Sequence, residues 1–420
     1  MRHATQVLMD TAATASATIR RAILVRRENG LPHELAVAFL YRQHPCAALN
    51  THLAVLQDLS FFFEWCELKH ERDPQWAAPE RRASAGHVVL SSREITDFAR
   101  WCSYPAARLT AALKRADGES TPSDLEAVDS QTHNRRLNTA AEYLTWILKE
   151  RAPNQGQELD FHLKLDLAAQ KIRDNFRRHL HAAKKAPLLR SLEESRAAQV
   201  QHLLDDVLPE STPTERRDKL ICRLLFHSGI RSGELLKLQC IDISDEFQVG
   251  QGRLSGCIEI HLRPNDRHDT RRIEPAAKTI PGSVPILREL AQKLVDYIIN
   301  DREAAVLQSG GPMHPYLFVS HKGVTAGKPI SQRNLNRLIA KLRRYPGMPQ
   351  DFCPYVLRHT HLNTVYDTAQ RNGKNGREIL LQRARWSNKS EMPQRYAQRS
   401  IARQAAELVA MRERQIGSAR

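Results

Sequence analysis

The sequence predicts a mainly helical first part followed by an α+β domain, in which helices surround a small antiparallel sheet. Three observations lead there. Apolar residues recur at helical spacing through most of the 420 residues. Runs rich in β-branched residues and bounded by turn signals gather in the second half, in "SGCIEIHLRP" and "AAKTIPGSVPI". The texture changes near Pro187, and the chain is long enough for about two or three domains of ordinary size.

Residues 1–32 read as an N-terminal extension. In it "AILVRRENGLP" (Ala22 to Pro32) predicts a short strand and a turn at Asn29-Gly30. "HELAVAFLYRQ" opens a helix. Asn50 to His70 predicts a strong amphipathic helix started by Asn50 or Thr51, with Leu53, Leu56, Leu59, Phe63 and Cys66 on or near one face. Leu90 to Tyr104 predicts another, capped by Ser91 or Ser92, and Ser130 to Arg151 a third, with a polar loop at Asp117 to Ser123. Residues 33–152 thus form a helical domain. Residues 153–187 hold a polar entry and a basic helical stretch containing Lys171, Arg173, Arg177, Arg178, Lys184 and Lys185. That stretch reads equally as a solvated helix face or as a linker lying along phosphates.

The domain from 188 to 411 begins with "RRDKLICRLLFHSGIRSGELLKLQCIDIS": helix, break at Gly229, helix, strand. Ser255 to Pro264 reads as a strand and Ala276 to Ile286 as its hairpin partner, across a long arginine-rich loop. A helix follows in "SVPILRELAQKLVDYIIN". Ser331 caps another, whose Leu335, Leu338, Ile339 and Leu342 make one apolar stripe. Further helices are expected around Arg358 and Ala384 and at the basic C-terminus, with residues 412–420 as a tail.

Composition narrows the function. Hydrophobic residues are 41% and charged residues 26%, the balance of a folded globular protein. Lys and Arg number 63 against 47 Asp and Glu, a net charge of +16 that points to a polyanionic partner such as nucleic acid. Seven scattered cysteines without a CxxC pair argue against a disulfide framework or zinc knuckle and for a reducing cytoplasm. No apolar run reaches the roughly 18 residues of a membrane span, and no signal peptide is expected.

"YVLRHTHLNTVY" (Tyr355 to Tyr366) sets Arg358 among the apolar residues of a helix. A buried guanidinium needs an anionic partner, either an internal carboxylate or a ligand. "HSGIRSGELLKL" places Arg231 after a glycine break near a helix start, with Glu234 one turn on. This is either a surface Arg–Glu pair or a clamp in which the guanidinium and the helix amides hold a phosphate. His359 and His361 stand two apart, on different faces of a helix, so a metal pair is not expected.

These segments resemble the tyrosine recombinase, or phage integrase, family. The resemblance rests on Gly229-Ile230-Arg231-Ser232-Gly233-Glu234-Leu235-Leu236, on Leu357-Arg358-His359-Thr360-His361, and on Arg395-Tyr396-Ala397. Order and spacing agree from about Leu188 to Met411, and the separation of Arg358 from Tyr396 matches the family's. The first half resembles the family's core-DNA-binding domain, chiefly in "SQTHNRRLNTAAEYLTWIL". That implies DNA contacts from Asn134 and Arg135, with Lys171, Arg177, Arg178, Lys184 and Lys185 as further candidates.

The resemblance implies metal-free and ATP-free cutting and rejoining of double-stranded DNA, with no cofactor. Tyr396 would be the nucleophile, forming a 3′-phosphotyrosyl link, and Arg231 and Arg358 would stabilise the phosphoryl charge. The family's proton-donating hairpin lysine falls on Lys278, which otherwise reads as an ordinary hairpin lysine. A lysine beside two arginines gives up a proton more easily. Two positions depart from the pattern. The histidine of the H-x-x-R motif is Tyr355 here, either structural or a hydrogen-bonding substitute. Trp386 stands where many members have histidine; its indole N–H can donate to a phosphate while its ring packs behind the tyrosine. Glu234 would orient Arg231 or a nearby histidine, and His361 would pack near the active arginine.

The leading expectation is therefore a site-specific recombinase of a mobile element, an integrase or transposase, acting as a homotetramer on synapsed DNA with possible accessory proteins, in the cytoplasm at the nucleoid. Competing expectations are a type IB topoisomerase or telomere-resolving enzyme on the same core, and a catalytically dead architectural or regulatory DNA-binding protein.

Overall fold

The computed structural model describes residues 5–13, 17–106, 127–151, 159–182, 190–248 and 254–418. The chain divides into two compact units, Met1–Ala12 with Ile19–Ala186, and Pro187–Arg420 with Ala13–Thr18. Among the described residues no helix is long and apolar enough to cross a membrane.

The first unit opens with a two-stranded sheet, β1 (Thr5–Ala13) and β2 (Thr18–Arg26). Only part of β2 is visible in the sequence pattern. Gly30, at φ 71°, makes the expected turn, and the Asn29 side chain accepts from Leu31 N–H. Helices α1 (Glu34–Gln43), α2 (Leu49–Arg72), α3 (Pro79–Ser84), α4 (Ser92–Cys102), α5 (Ser130–Arg151) and α6 (Leu159–Arg177) follow. Ser91 caps α4 through a reciprocal capping box with Glu94. Helix α2 starts two residues earlier than expected, from Ala48 and without a side-chain cap, so neither Asn50 nor Thr51 opens it. The short α3 escapes sequence reading because six residues carry too little periodicity. Phe39, Phe62, Trp65, Phe98, Tyr143 and Ile147 form the core. The stretch expected as a linker contributes to it as well: Ala169, Ile172 and Phe176 of α6 are buried there. Its basic residues Lys171, Arg177 and Arg178 stay exposed. Lys184, Lys185, Pro187 and the loop at Asp117 to Ser123 lie outside the described residues.

The second unit holds α7 (Glu194–His202), α8 (Pro213–Ser228), α9 (Ser232–Lys237), the strands β3 (Ile243–Gln248), β4 (Leu254–Ile260) and β5 (Gly282–Ile286), then α10 (Arg288–Asp296), α11 (Glu303–Gln308), α12 (Gln332–Leu342), α13 (Pro354–Arg371), α14 (Gly376–Ala384) and α15 (Met392–Ser418). The sheet is antiparallel in the order β3-β4-β5, with Ile258 opposite Val284. This is the predicted α+β arrangement. Strand β5 is shorter than the predicted Ala276 to Ile286, because residues ahead of it bond elsewhere: Ile280 N–H donates to the Arg385 carbonyl at 3.1 Å. Ser331 caps α12, and its stripe of Leu335, Leu338, Ile339 and Leu342 is buried. Helix α15 runs unbroken to Ser418, so the expected tail from 412 is mostly helix. A small separate core joins Leu362, Tyr366, Leu380, Leu381, Ala384, Trp386 and Tyr396.

Candidate active site

Arg231 is brought into place by a helix end. Thr212 and Glu215 start α8 with a capping box, and Gly229 ends it at φ 65°, in the left-handed region. A Cβ there would lie 2.6 Å from His361 Cδ2, so the turn admits only glycine. The six-residue α9 then follows, with Arg231 as its N-cap. Its amide end is not open to an anion, because Glu234 Oε2 accepts the Arg231 N–H at 2.8 Å. The charge in this region is carried by side chains.

Arg358 sits on α13, 6% exposed. It donates to the Gly229 carbonyl at 2.5 Å and the Ala384 carbonyl at 3.2 Å, and its guanidinium lies 5.7 Å from the Trp386 ring centre. Neither bond is to a carboxylate. Burial, with the nearby Arg231 charge, lowers its pKa to about 10. A third guanidinium, unforeseen from sequence, joins the group. Arg385 closes α14 at φ 53°, which is uncommon for a residue other than glycine, and its buried side chain donates to Glu234 at 2.6 Å and to Thr279 at 3.2 Å. Glu234 also accepts from Thr279 and stands 3.5 Å from the Arg231 side chain. Burial raises its pKa, but Arg385, Thr279 and the Arg231 amide outweigh that and hold it below the usual carboxylate range. Two guanidinium groups thus pair with one carboxylate, and Arg358 adds a third positive charge beside them. Arg385 Nε and Trp386 Nε1 are buried donors that make no hydrogen bond, and Arg231 Nη1 has only the 3.5 Å approach to Glu234. Such a surplus of donors over acceptors, two of them on guanidinium groups, has the chemistry to hold an anion.

Tyr396 lies on the first turns of α15, 1% exposed, beside this group. Its ring packs 5.8 Å from Trp386, and its hydroxyl is 2.5 Å from His359 Nδ1. Burial raises the phenol pKa, while Arg358 and Arg231 pull it down. Tyr355 is 55% exposed, its ring 4.1 Å from that of His359 one turn along the helix. His361 turns the other way, towards Gly229 and Arg383, whose Nε donates to His361 Nε2 at 3.1 Å. Its burial holds it far below the usual imidazole range. Among the described residues no three His, Cys, Asp or Glu are grouped to hold a metal.

Lys278 is exposed on the segment ahead of β5, next to Thr279, which bonds Glu234. Lys237, a basic residue of the same motif, is excluded from such a place: it is buried against Glu274 and Asp269. In the first unit, Asn134 spends its amide on the His181 backbone, donating and accepting at 2.9 Å, and Arg135 pairs with Asp58 at 3.1 Å. Both expected DNA contacts therefore have internal partners.

The pattern of the phage integrase family matches residues 193–402. The chain belongs to that family. Transposase A from transposon Tn554 of Staphylococcus aureus is 25% identical over 273 residues, 64% of this chain and 65% of that protein, so this chain spans less than two thirds of its relative's length. Tyrosine recombinase XerD of Corynebacterium glutamicum is 29% identical over 167 residues, 38% of this chain and 45% of its own. The fold is also that of the XerH site-specific recombinase, solved bound to difH substrate in a pre-cleavage complex: TM-score 0.52 at 12% identity, over 83% of this chain and 77% of that one. For this tyrosine recombinase, Arg231, Arg358, Trp386 and Tyr396 are one cluster, with Lys278 at its edge through Thr279. Two of its members, Arg385 and His359, carry no signal in the sequence beyond lying beside Trp386 and Arg358.

Proposed function

We propose that the chain is a site-specific DNA recombinase of a mobile element, which cuts and rejoins duplex DNA through a 3′-phosphotyrosyl intermediate without metal or ATP. The observation that carries this reading is the donor-rich cluster: three guanidinium groups and an indole N–H around one carboxylate, with a tyrosine hydroxyl alongside. In this reading a phosphodiester fills this cluster, and Arg231, Arg358 and Arg385 stabilise the charge that develops on its oxygens. Tyr396 Oη attacks phosphorus, and the bond to the 5′ oxygen breaks. Lys278 supplies the proton that the leaving oxygen needs. Rejoining reverses each step, and the covalent link conserves the phosphodiester energy. The family resemblance supports a homotetramer on synapsed DNA, with the basic face of α6 as one contact surface.

Incubation with a nicked suicide duplex, from which the cut end diffuses away, should give an SDS-resistant protein–DNA band. Tyr396→Phe should bind the same duplex and give none. A band from the phenylalanine variant would refute the assignment.

A further inference from the structure

The family pattern has lost its H-x-x-R histidine in this chain, and Tyr355 in its place is largely exposed and cannot serve as a base near neutral pH. The contact that matters is one turn further along α13. His359 is buried, and its Nδ1 lies 2.5 Å from the Tyr396 hydroxyl. The two rings are stacked at 5.7 Å. Tyr355 packs edge-on against the same imidazole, with ring centres 4.1 Å apart.

We propose that His359 is a catalytic residue, the general base that takes the proton from Tyr396 as the phenol attacks, and so replaces the missing motif histidine. The inference rests on Tyr396 being the nucleophile. The proton balance is complete. As the bond from Tyr396 Oη to phosphorus forms, the phenolic proton moves to His359 Nδ1, and the 5′ oxygen leaves with a proton from Lys278. On rejoining, the 5′ hydroxyl returns its proton to Lys278 and attacks phosphorus, and the departing phenolate recovers its proton from His359. A base is needed here because burial resists formation of the phenolate, and a contact already made needs no reorganisation at the moment of reaction. The charged and titratable groups facing the pair are Tyr355 and Arg358 on α13, Arg231 ahead of α9, and Arg395 on α15. The arginines favour a proton that leaves the pair's phenol over one that stays.

The test is the pH profile of adduct formation on the suicide duplex. His359→Asn keeps an acceptor near Oη but not a base. It should bind duplex normally, form adduct about 10²-fold more slowly near neutral pH, and recover as the pH approaches the phenol's own range. Tyr355→Phe should leave the profile where it was. A wild-type rate in the asparagine variant, or a lower rate with an unmoved profile, would overturn the proposal and leave His359 a packing residue. His359→Gln is measured in parallel, and loss of duplex binding in both variants would likewise mark the residue as structural. Tyr396→Phe run beside them separates the two claims. Adduct from that variant fails the nucleophile. An inert phenylalanine variant beside an unaffected asparagine variant fails the histidine alone.

Discussion

Two of the buried ion clusters in the second unit are built differently. One lies under the loop between β4 and β5: Lys237 meets Glu274 and Asp269, Arg271 meets Asp269 at 2.7 Å, and Arg263 meets Asp242. Three cations there face three carboxylates, and Arg271 also donates to the Leu236 and Ile330 carbonyls. The other is the group of Arg231, Arg358 and Arg385 around Glu234, with donors left over. The balanced cluster holds the chain together. The unbalanced one keeps charge unneutralised at the cost of desolvation, as the lowered pKa of Arg358 shows. That excess does nothing for the fold and fits the phosphodiester proposed to fill it.

Substitutions should tell the clusters apart. The largest effect is expected in the balanced one. Arg271→Met leaves the buried Asp269 with only the more distant Lys237 at 3.5 Å and should cost about 3–5 kcal/mol of stability, read by chemical denaturation. Arg358→Met should cost far less stability but slow adduct formation about 10²–10³-fold. Equal stability losses in the two variants would erase the distinction. Gly229→Ala should fall between them: a left-handed turn and a close approach to His361 make it destabilising by more than about 1 kcal/mol. It should slow adduct formation too, since the Gly229 carbonyl holds Arg358.

The smallest effect is a pH dependence. Glu234 has a folded pKa below its unfolded one, so its stabilisation is present above the unfolded value and is lost as pH falls through the folded one. Glu234→Gln should therefore lower the melting temperature at pH 7, and the gap from wild type should begin to narrow only as the pH falls below the ordinary carboxylate range and go on narrowing in stronger acid. A gap that persists in acid would mean that shape, not charge, is what Glu234 supplies.

How much of this was legible beforehand differs between the same groups. Arg231 and Arg358 are visible from their residue type and setting, Trp386 and Tyr396 through the family resemblance, and the helices of the first part because caps and apolar periodicity are local. Ser91 with Glu94, and the limits Ser130 and Arg151, show this. Arg385 was not legible, since its entry into the site depends on a left-handed backbone that "ARW" does not announce. His359 carries no such signal, because its neighbour in space, Tyr396, lies 37 residues on, in a helix whose position the sequence does not state. The segment around Lys278 was extended into a strand because its true partners, Glu234 and Arg385, are distant in sequence.

The most direct test of the central claim, that the unbalanced cluster presents a phosphodiester to Tyr396, is to locate the bond. Adduct trapped on the suicide duplex can be digested with nuclease and trypsin and sequenced by mass spectrometry. The account predicts a 3′-nucleotide on Tyr396, in the peptide that begins after Arg395. A nucleotide on the exposed Tyr355, on Tyr366 or on any other side chain would contradict it.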